Sequence, residues 1–169
     1  MKSIGIIRRI DSLGRIVIPK EIRKKLKIVE NDNLEIFVDD DKIYIKKHTI
    51  LDNNIRLINL YGSILRDLTN KNVIISNNLN IIYCNKGIIE TFLNKEITEE
   101  AIKIINDRKI TNGSSLEIIK NIKINNYISY PIILNSDSIG LIIMYGDNIN
   151  ESNKKSLEII SKIINQSLE

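Results

Sequence analysis

The stretch of sequence that decides the fold is residues 8–28, RRIDSLGRIVIPKEIRKKLKI. Two short apolar runs flank a polar turn at residues 11–14, where Gly14 is the residue expected to adopt a positive φ. Pro19 ends the second run and fixes φ for the first turn of a helix that needs no amide proton there. The segment therefore predicts a strand, a turn, a second strand and a short helix over residues 20–27.

The rest of the first fifty residues continues this small β-rich unit. The two strands before the helix are predicted over residues 4–10 and 16–18. After the helix, apolar residues alternate with other residues over 34–38, and a second run returns over 43–45. Three aspartates at residues 39–41 form the polar turn between them. Residues 1–50 are therefore predicted as β-β-α-β-β. A unit this small buries too little apolar surface to be stable alone, so we expect two chains to pair.

Positive charge is concentrated at the start of the chain. Residues 1–29 have a balance of +7, residues 30–50 a balance of −3, and residues 51–169 contain thirteen groups of each sign. A localised basic surface is typical of proteins that bind phosphate groups. The alternative is an ordinary solvated helix face. Three of the cations lie outside the helix, which favours the first interpretation: Arg8, Arg9 and Arg15.

At these residues the chain resembles a known family. The letters GIIRRIDSLGRIVIPKEIRKKLKI, followed by NDNLEIFVDDDKIYIKK, resemble the AbrB-type bacterial transition-state regulators, and most closely their stage V sporulation branch. The resemblance implies a dimeric swapped-hairpin β-barrel in which two chains interleave their strands and bind double-stranded DNA. By position it implies DNA contacts from Arg8, Arg9, Arg15, Arg23 and Lys24. Many relatives have arginine where this chain has Lys24, so a planar bidentate donor is replaced by a point charge.

Arg8 and Arg9 are adjacent, which leaves two arrangements open. Successive side chains of a regular strand point to opposite faces of the sheet. Either the strand twists or bulges so that both arginines reach the DNA, or one contacts DNA while the other serves the fold.

Residues 51–169 are predicted to form a second, α+β domain. A helix over residues 50–70 has an apolar stripe at Leu57, Leu60 or Tyr61, Ile64 and Leu68. Short strands are predicted over 72–76, 79–84, 116–119, 127–134 and 139–145, with helices over 88–92 and 96–108 between them. A closing helix over 151–168, with Ser152 as its N-cap, has a stripe at Leu157, Ile160, Ile164 and Leu168.

This second domain also resembles a known family. The segments VIISNNLNIIYCNKG and YPIILNSDSIGLIIMYGD look like the first hairpin and the closing strands of GAF domains. The resemblance implies an antiparallel sheet flanked by helices that serves as a sensory or oligomerising module. In many GAF domains such a module binds a nucleotide or a small effector, and a module that only joins chains is the other interpretation.

Catalytic chemistry and membrane insertion are not indicated by the sequence. His48 is the sole histidine, so one chain cannot assemble a histidine-based metal cluster or triad. Cys84 lies in an apolar run and is expected to be a buried, unreactive thiol. We therefore predict no enzyme and no cofactor. The sequence has no run of eighteen apolar residues and no signal peptide, which favours the cytoplasm.

The function that these observations favour is sequence-specific DNA binding in the regulation of sporulation-stage genes. Domain 1–50 is expected to bind DNA as a homodimer, and domain 51–169 to join chains, with tetramers and effector sensing as further options. The alternative is an antitoxin-type protein that also binds DNA, because related swapped-hairpin domains neutralise toxins through an extended tail. Residues after His48 have neither the low apolar content nor the acidic excess of such a tail.

Overall fold

The computed structural model describes residues 5–26, 28–30, 32 and 34–168, and the chain divides into two compact units, Met1–His48 and Thr49–Glu169. Two residues that belong to predicted elements, Ile4 and Lys27, lie outside the described residues. Each unit is described below by itself.

The first unit consists of a turn, a short helix and a hairpin. Helix α1 spans Lys20–Lys25, and the hairpin pairs strand β1 (Leu34–Asp39) with strand β2 (Lys42–Lys47) in antiparallel register. Asp40 takes a φ of +51° at the hairpin tip, a conformation that a short polar side chain tolerates better than an apolar one. The predicted hairpin and the start of the predicted helix are therefore confirmed.

The two strands predicted before the helix are absent from the described part of a single chain. Residues 5–11 and 15–19 have no regular secondary structure, and the side chains of Ile7 and Val17 are 94% and 76% exposed. A strand needs a neighbour to accept and donate its ladder hydrogen bonds, and one copy of this chain supplies none at these positions. Helix α1 is also shorter than predicted, since its C-cap is Leu26.

The second unit is a five-stranded antiparallel sheet with helices on both faces. Its strand order is β4-β3-β7-β6-β5, and every neighbouring pair is antiparallel. In chain order its elements are α2 (Ile50–Asn53), α3 (Ile55–Thr69), β3 (Asn72–Asn77), β4 (Ile81–Cys84), a 3-10 turn (Lys86–Ile88), α4 (Ile89–Phe92), α5 (Glu99–Asp107), β5 (Thr111–Ile119), β6 (Ile122–Leu134), β7 (Asp137–Tyr145) and α6 (Glu151–Ser167). The α+β class predicted for this part of the chain is confirmed.

Each face of this sheet has its own hydrophobic core. On one face, α3 and α6 cover a cluster that includes Ile58, Leu65 and Leu157; on the other, α4 and α5 cover a cluster that includes Phe92 and Ile105. Such a two-sided arrangement gives the 121-residue unit Thr49–Glu169 a core of its own.

Among the described residues, no helix is both long enough and apolar enough to cross a lipid bilayer.

The apolar stripe predicted for α3 is wrong by one helical position, except that Tyr61, the alternative to Leu60, is half-buried against this core. The buried residues are Ile58, Gly62, Leu65 and Thr69, whereas three residues of the predicted stripe are exposed: Leu60 by 54%, Ile64 by 37% and Leu68 by 65%. The reason lies at Gly62, where a Cβ would lie 2.5 Å from Cδ1 of Tyr83. The missing side chain lets the Tyr83 ring pack directly on the helix backbone, and this contact selects the buried face.

Two helix boundaries also differ from the prediction. The helix predicted over residues 50–70 is broken at Asn54, which separates α2 from α3. Helix α6 is capped by Asn150 rather than Ser152. Asn150 Oδ1 accepts from the Asn153 amide at 2.9 Å, and Asn153 Oδ1 accepts from the Asn150 amide at 3.2 Å. This reciprocal capping box satisfies two backbone donors at once.

Helix α2 anchors the start of the second unit to its sheet. Leu51 is fully buried, and its Cδ1 lies 2.6 Å from the position that a Cβ on Gly140 would occupy. The Asn77 side-chain amide donates to Thr49 Oγ1 at 3.3 Å and to Asp52 Oδ1 at 3.1 Å. The first residues of the second unit are thus fixed to the β3–β4 hairpin.

Candidate nucleic-acid interface

The turn that precedes α1 is organised by a single carboxylate. Asp11 Oδ1 accepts from the amides of Leu13 at 3.0 Å and Arg15 at 2.8 Å, and Asp11 Oδ2 accepts from Arg15 Nε at 2.7 Å. The Gly14 amide donates to the Asp11 carbonyl at 3.0 Å, and Gly14 takes the predicted positive φ, +76°. The Arg15 amide and guanidinium together lower the pKa of Asp11, so the carboxylate is charged at neutral pH.

Helix α1 presents cations at its C-terminal end. Pro19 is the N-cap, and its carbonyl accepts from the Arg23 amide at 2.9 Å. Glu21 lies in the first turn, and three exposed cations lie in the last turn: Arg23, Lys24 and Lys25. This order complements the helix dipole, which favours anions at the first turn and cations at the last.

The segment after α1 is tied to the hairpin by a shielded ion pair. Lys47 Nζ lies 2.8 Å from Asp32 Oδ2, and the two side chains are 17% and 16% exposed. The same carboxylate oxygen accepts from the Val29 amide at 2.7 Å. The pair therefore connects the end of β2 to the chain that leaves the helix.

All five residues that the sequence assigns to DNA are exposed: Arg8, Arg9, Arg15, Arg23 and Lys24. Arg8 and Arg9 precede the turn, Arg15 follows it, and the other two lie on α1. In the part of the first unit that the structure describes, Arg15 is the one member of this set with an ion-pair partner, Asp11. Residues 8 and 9 are not in a strand here, so the alternation of a regular strand does not direct their side chains to opposite faces.

Apolar side chains surround these cations without being covered. Among the described residues of the first unit, Pro19 and Ile28 are the ones classed as buried. More than half of the surface of several aliphatic side chains is exposed: Ile7, Ile10, Leu13, Ile16, Val17, Val29, Ile36, Val38 and Ile43. Exposed apolar surface on this scale marks an interaction face.

The role of Asp11 was missed by sequence reasoning, which treated it as one polar residue of a turn. The available signal was its type, since aspartate accepts hydrogen bonds from backbone amides two or more residues ahead. Its contact with the Arg15 side chain depends on two rotamers, which spacing does not determine.

The second unit contains a cavity of about 540 Å³ between the C-terminal half of α3 and the end of β4. Its lining includes Arg66, Tyr83, Cys84 and Lys86. Cys84 is buried, as predicted, and burial raises the pKa of its thiol. Burial, reinforced by the nearby Asp67 carboxylate, also raises the pKa of Tyr83. Both groups are therefore neutral at pH 7, and the charge in the cavity lining comes from the two cations and Asp67.

Comparison with known proteins gives matches over the whole chain. Residues 56–169 match the family described as "Stage V sporulation protein T C-terminal, transcription factor", and residues 7–50 match "Antidote-toxin recognition MazE, bacterial antitoxin". Stage V sporulation protein T of Bacillus subtilis (strain 168) is 32% identical over 177 residues, which cover 100% of this chain and 99% of that protein.

Two further matches concern one unit each. Transition state regulatory protein AbrB of the same organism is 60% identical over 48 residues, which cover 28% of this chain and 50% of that protein. The crystal structure of the GAF domain from Acinetobacter phosphoenolpyruvate-protein phosphotransferase matches with a TM-score of 0.52 and 10% identity, covering 72% of this chain and 83% of that chain. The resemblances predicted for the two parts of the sequence are thereby confirmed, the second at the level of fold.

Proposed function

We propose that the first unit of this chain contacts DNA through five cations: Arg8, Arg9, Arg15, Arg23 and Lys24. The premise is that this chain belongs to the stage V sporulation protein T family of transcription factors. The chain is a DNA-binding regulator related to sporulation regulators. The residue assignment comes by position from the resemblance to AbrB-type domains, and the +7 balance of residues 1–29 and the exposure of all five cations support it.

The chemistry of these side chains suits duplex DNA. An arginine can donate two parallel hydrogen bonds to O6 and N7 of guanine in the major groove, and any of the cations can neutralise a phosphate. Lys24 has no planar fork, so we assign it to phosphate rather than to a base edge. Phosphate contacts fix the register of the protein, and base contacts supply the sequence preference.

The first unit acts as a homodimer in this proposal. Its described residues bury almost no side chains within one chain, and residues 5–11 and 15–19 lack the strand neighbours that the sequence predicts. A second copy would supply both the neighbours and the apolar cover. The interleaved, swapped-hairpin pairing of the AbrB-type domain meets both needs, because each chain completes the sheet of the other.

The direct test replaces Arg15 and Arg23 by alanine in the full chain. We expect each variant to lose about 1–3 kcal/mol of binding free energy, the cost of a lost base or phosphate contact. Affinity is measured by gel shift on a duplex selected from a random DNA pool, and a melting curve checks the fold. Exposed Lys120, which lies in the second unit, gives the matched control Lys120→Ala. Unchanged affinity in both arginine variants would refute the assignment.

For the second unit we propose oligomerisation, with tetramers formed by joining two DNA-binding dimers. The support is the exposed stripe on α3 at Leu60, Ile64 and Leu68, which needs a cover. The division of labour follows the predicted domains, with residues 1–50 for DNA and 51–169 for assembly. The proposal includes no catalytic step and no cofactor, and it places the protein in the bacterial cytoplasm, where the DNA lies.

Effector sensing is an additional role that the 540 Å³ cavity favours. A ligand that binds the native state raises the melting temperature. A screen of nucleotides and amino acids at millimolar concentration should therefore show a shift for a true effector, and Arg66→Ala, a change in the cavity lining, should reduce that shift for an effector bound in this cavity. If no compound shifts the melting temperature, the second unit serves assembly alone.

The antitoxin alternative draws on the family match of residues 7–50. Antitoxin activity of the predicted kind needs an extended tail, whereas residues 49–168 form a compact unit with two cores. Limited proteolysis separates the two functions. We expect a resistant fragment of about residues 51–169 by mass spectrometry, because buried backbone is protected from proteases. Rapid digestion beyond residue 50 would favour the antitoxin.

A further inference from the structure

We infer that Asp11 is a positioning residue for DNA recognition, which holds the Arg15 guanidinium so that its terminal nitrogens are presented to a base edge. This inference rests on the proposed function, because it takes Arg15 to be a DNA contact. It adds a residue of the opposite charge to a recognition surface that is otherwise basic. The consequence is that a negative charge beside the DNA increases sequence preference while lowering overall affinity.

The geometry separates two roles within one carboxylate. Oδ1 accepts the Leu13 and Arg15 amides and so builds the turn, whereas Oδ2 accepts Arg15 Nε at 2.7 Å. Nε is one of five guanidinium donors, and the four N–H groups on the two terminal nitrogens are distinct from it. A bidentate contact with guanine O6 and N7 uses two donors. Asp11 can therefore fix the guanidinium without occupying those terminal donors.

Exposure makes this restraint necessary. The side chain of Arg15 is 72% exposed and that of Asp11 41% exposed, so packing restricts the long arginine side chain only weakly. A free arginine side chain loses rotamer freedom when it binds, and that loss reduces affinity. Because Asp11 holds Nε before DNA binds, Arg15 loses less rotamer freedom when it binds in the orientation that Asp11 fixes. The benefit applies to a duplex with a base edge in that orientation and not to DNA in general.

A carboxylate without a positioning role would affect binding differently. Its charge repels the phosphates of every duplex, so its removal would strengthen binding to all sequences by the same factor. Removal of a positioning carboxylate also strengthens general binding, but it weakens the preference for the selected site. The ratio of the two affinities therefore distinguishes positioning from simple repulsion.

The variant Asp11→Asn tests this because an asparagine side chain keeps one acceptor oxygen for the turn amides. Its –NH₂ group replaces Oδ2 and cannot accept from Arg15 Nε. In the full chain, affinities are measured by fluorescence anisotropy at one salt concentration. The probes are the duplex selected by the wild-type protein and a scrambled duplex of equal length. Asp11→Ser, which also supports turns through a hydroxyl acceptor, is the second variant, and a melting curve accompanies each.

We expect Asp11→Asn to lower the ratio of selected to scrambled affinity by about 3- to 10-fold, a fraction of what a full bidentate contact gives. In an Arg15→Ala background the same change should leave the ratio unaltered, because the residue being positioned is gone. An equal change of both affinities in Asp11→Asn and Asp11→Ser would overturn the inference while leaving Arg15 as a DNA contact. Full affinity of Arg15→Ala on both duplexes would instead refute the proposed contact, and the inference with it.

Discussion

At the scale of single residues, two buried serines in the second unit differ in whether their hydroxyl group has a hydrogen-bond partner. Both Ser76 and Ser129 are fully buried in the sheet. The Ser129 hydroxyl donates to the Thr111 carbonyl at 3.2 Å, whereas the Ser76 hydroxyl has no hydrogen-bond partner among the described residues. A buried polar group without a partner destabilises the native state, because it leaves water without compensation.

Replacing each of the two serines by alanine should therefore change the free energy of unfolding in opposite directions. We expect Ser76→Ala to raise the free energy of unfolding by about 1 kcal/mol, since it removes an uncompensated hydroxyl. Ser129→Ala should lower that free energy by about 1 kcal/mol, since it breaks a hydrogen bond and leaves an acceptor behind. Urea denaturation of the full chain, followed by circular dichroism, measures both. A loss of stability in both variants would show that the Ser76 hydroxyl is satisfied.

Asp11 shows, at the same scale, what sequence reasoning can determine about the site. Positive charge, the glycine of the turn and the proline before the helix are properties of residue type, and they were predicted correctly. The contact between Asp11 Oδ2 and Arg15 Nε depends on side-chain conformation, which is chosen among several rotamers of similar energy. The DNA contacts themselves stay predictions.

At the scale of secondary-structure elements, α3 has apolar residues on two of its faces. The inner face packs against the sheet through Ile58 and Leu65. The outer face presents Leu60, Ile64 and Leu68, which recur at intervals of four residues and so form one stripe along the helix. The inner face stabilises one chain, and the outer face is available to a second copy.

Substitutions on the two faces should therefore have different effects. We expect the double variant Leu60→Gln, Leu68→Gln to convert tetramers into dimers with little change in melting temperature, because exposed side chains add little to the core. Ile58→Ala is the matched inner-face control and should lower the free energy of unfolding by about 2–5 kcal/mol through the cavity that it creates. Multi-angle light scattering gives the mass. A double variant with the mass of the wild type would exclude this stripe from the interface.

The same helix explains where sequence patterns failed for elements. Leu60, Ile64 and Leu68 form a more apolar stripe than one that contains Gly62 and Thr69, so hydrophobic periodicity selected the outer face. The strands β5 and β6 also begin five residues earlier than predicted, at Thr111 and Ile122. The first five residues of β5, TNGSS, contain no apolar pattern to detect. Strand β6 begins with Ile122 and the buried Ile124 on either side of Lys123, an alternation that the prediction did not include. The start of α6 was misplaced because several neighbouring residues can cap a helix. Asn150 and Asn153 form the cap, whereas the nearby Ser152 was predicted to do so.

At the scale of the whole molecule, the unequal charge of the two units determines how binding should respond to salt. The first fifty residues contain the entire net charge of +4, and residues 51–169 contain thirteen groups of each sign. We therefore expect the first unit to make the phosphate contacts, with one set of contacts from each chain that the assembly places on one duplex. In the proposed assembly, the second unit would change affinity through the number of chains that it joins, because its equal numbers of positive and negative groups add no net charge.

This arrangement predicts a specific salt dependence for a dimer on one site. If about four of the five proposed cations of each chain neutralise a phosphate, counterion release gives a slope near −7 for the logarithm of the binding constant against the logarithm of salt concentration. Arg23→Ala removes one cation from each chain, so the slope should become shallower by about 2. The measurement is a titration of labelled duplex with the full chain between 50 and 300 mM KCl. Lys120→Ala, which removes a cation from the second unit, should leave the slope unchanged. An equal change of slope in both variants would mean that the second unit also lies on the DNA, and a wild-type slope near zero would mean that phosphate neutralisation does not drive binding.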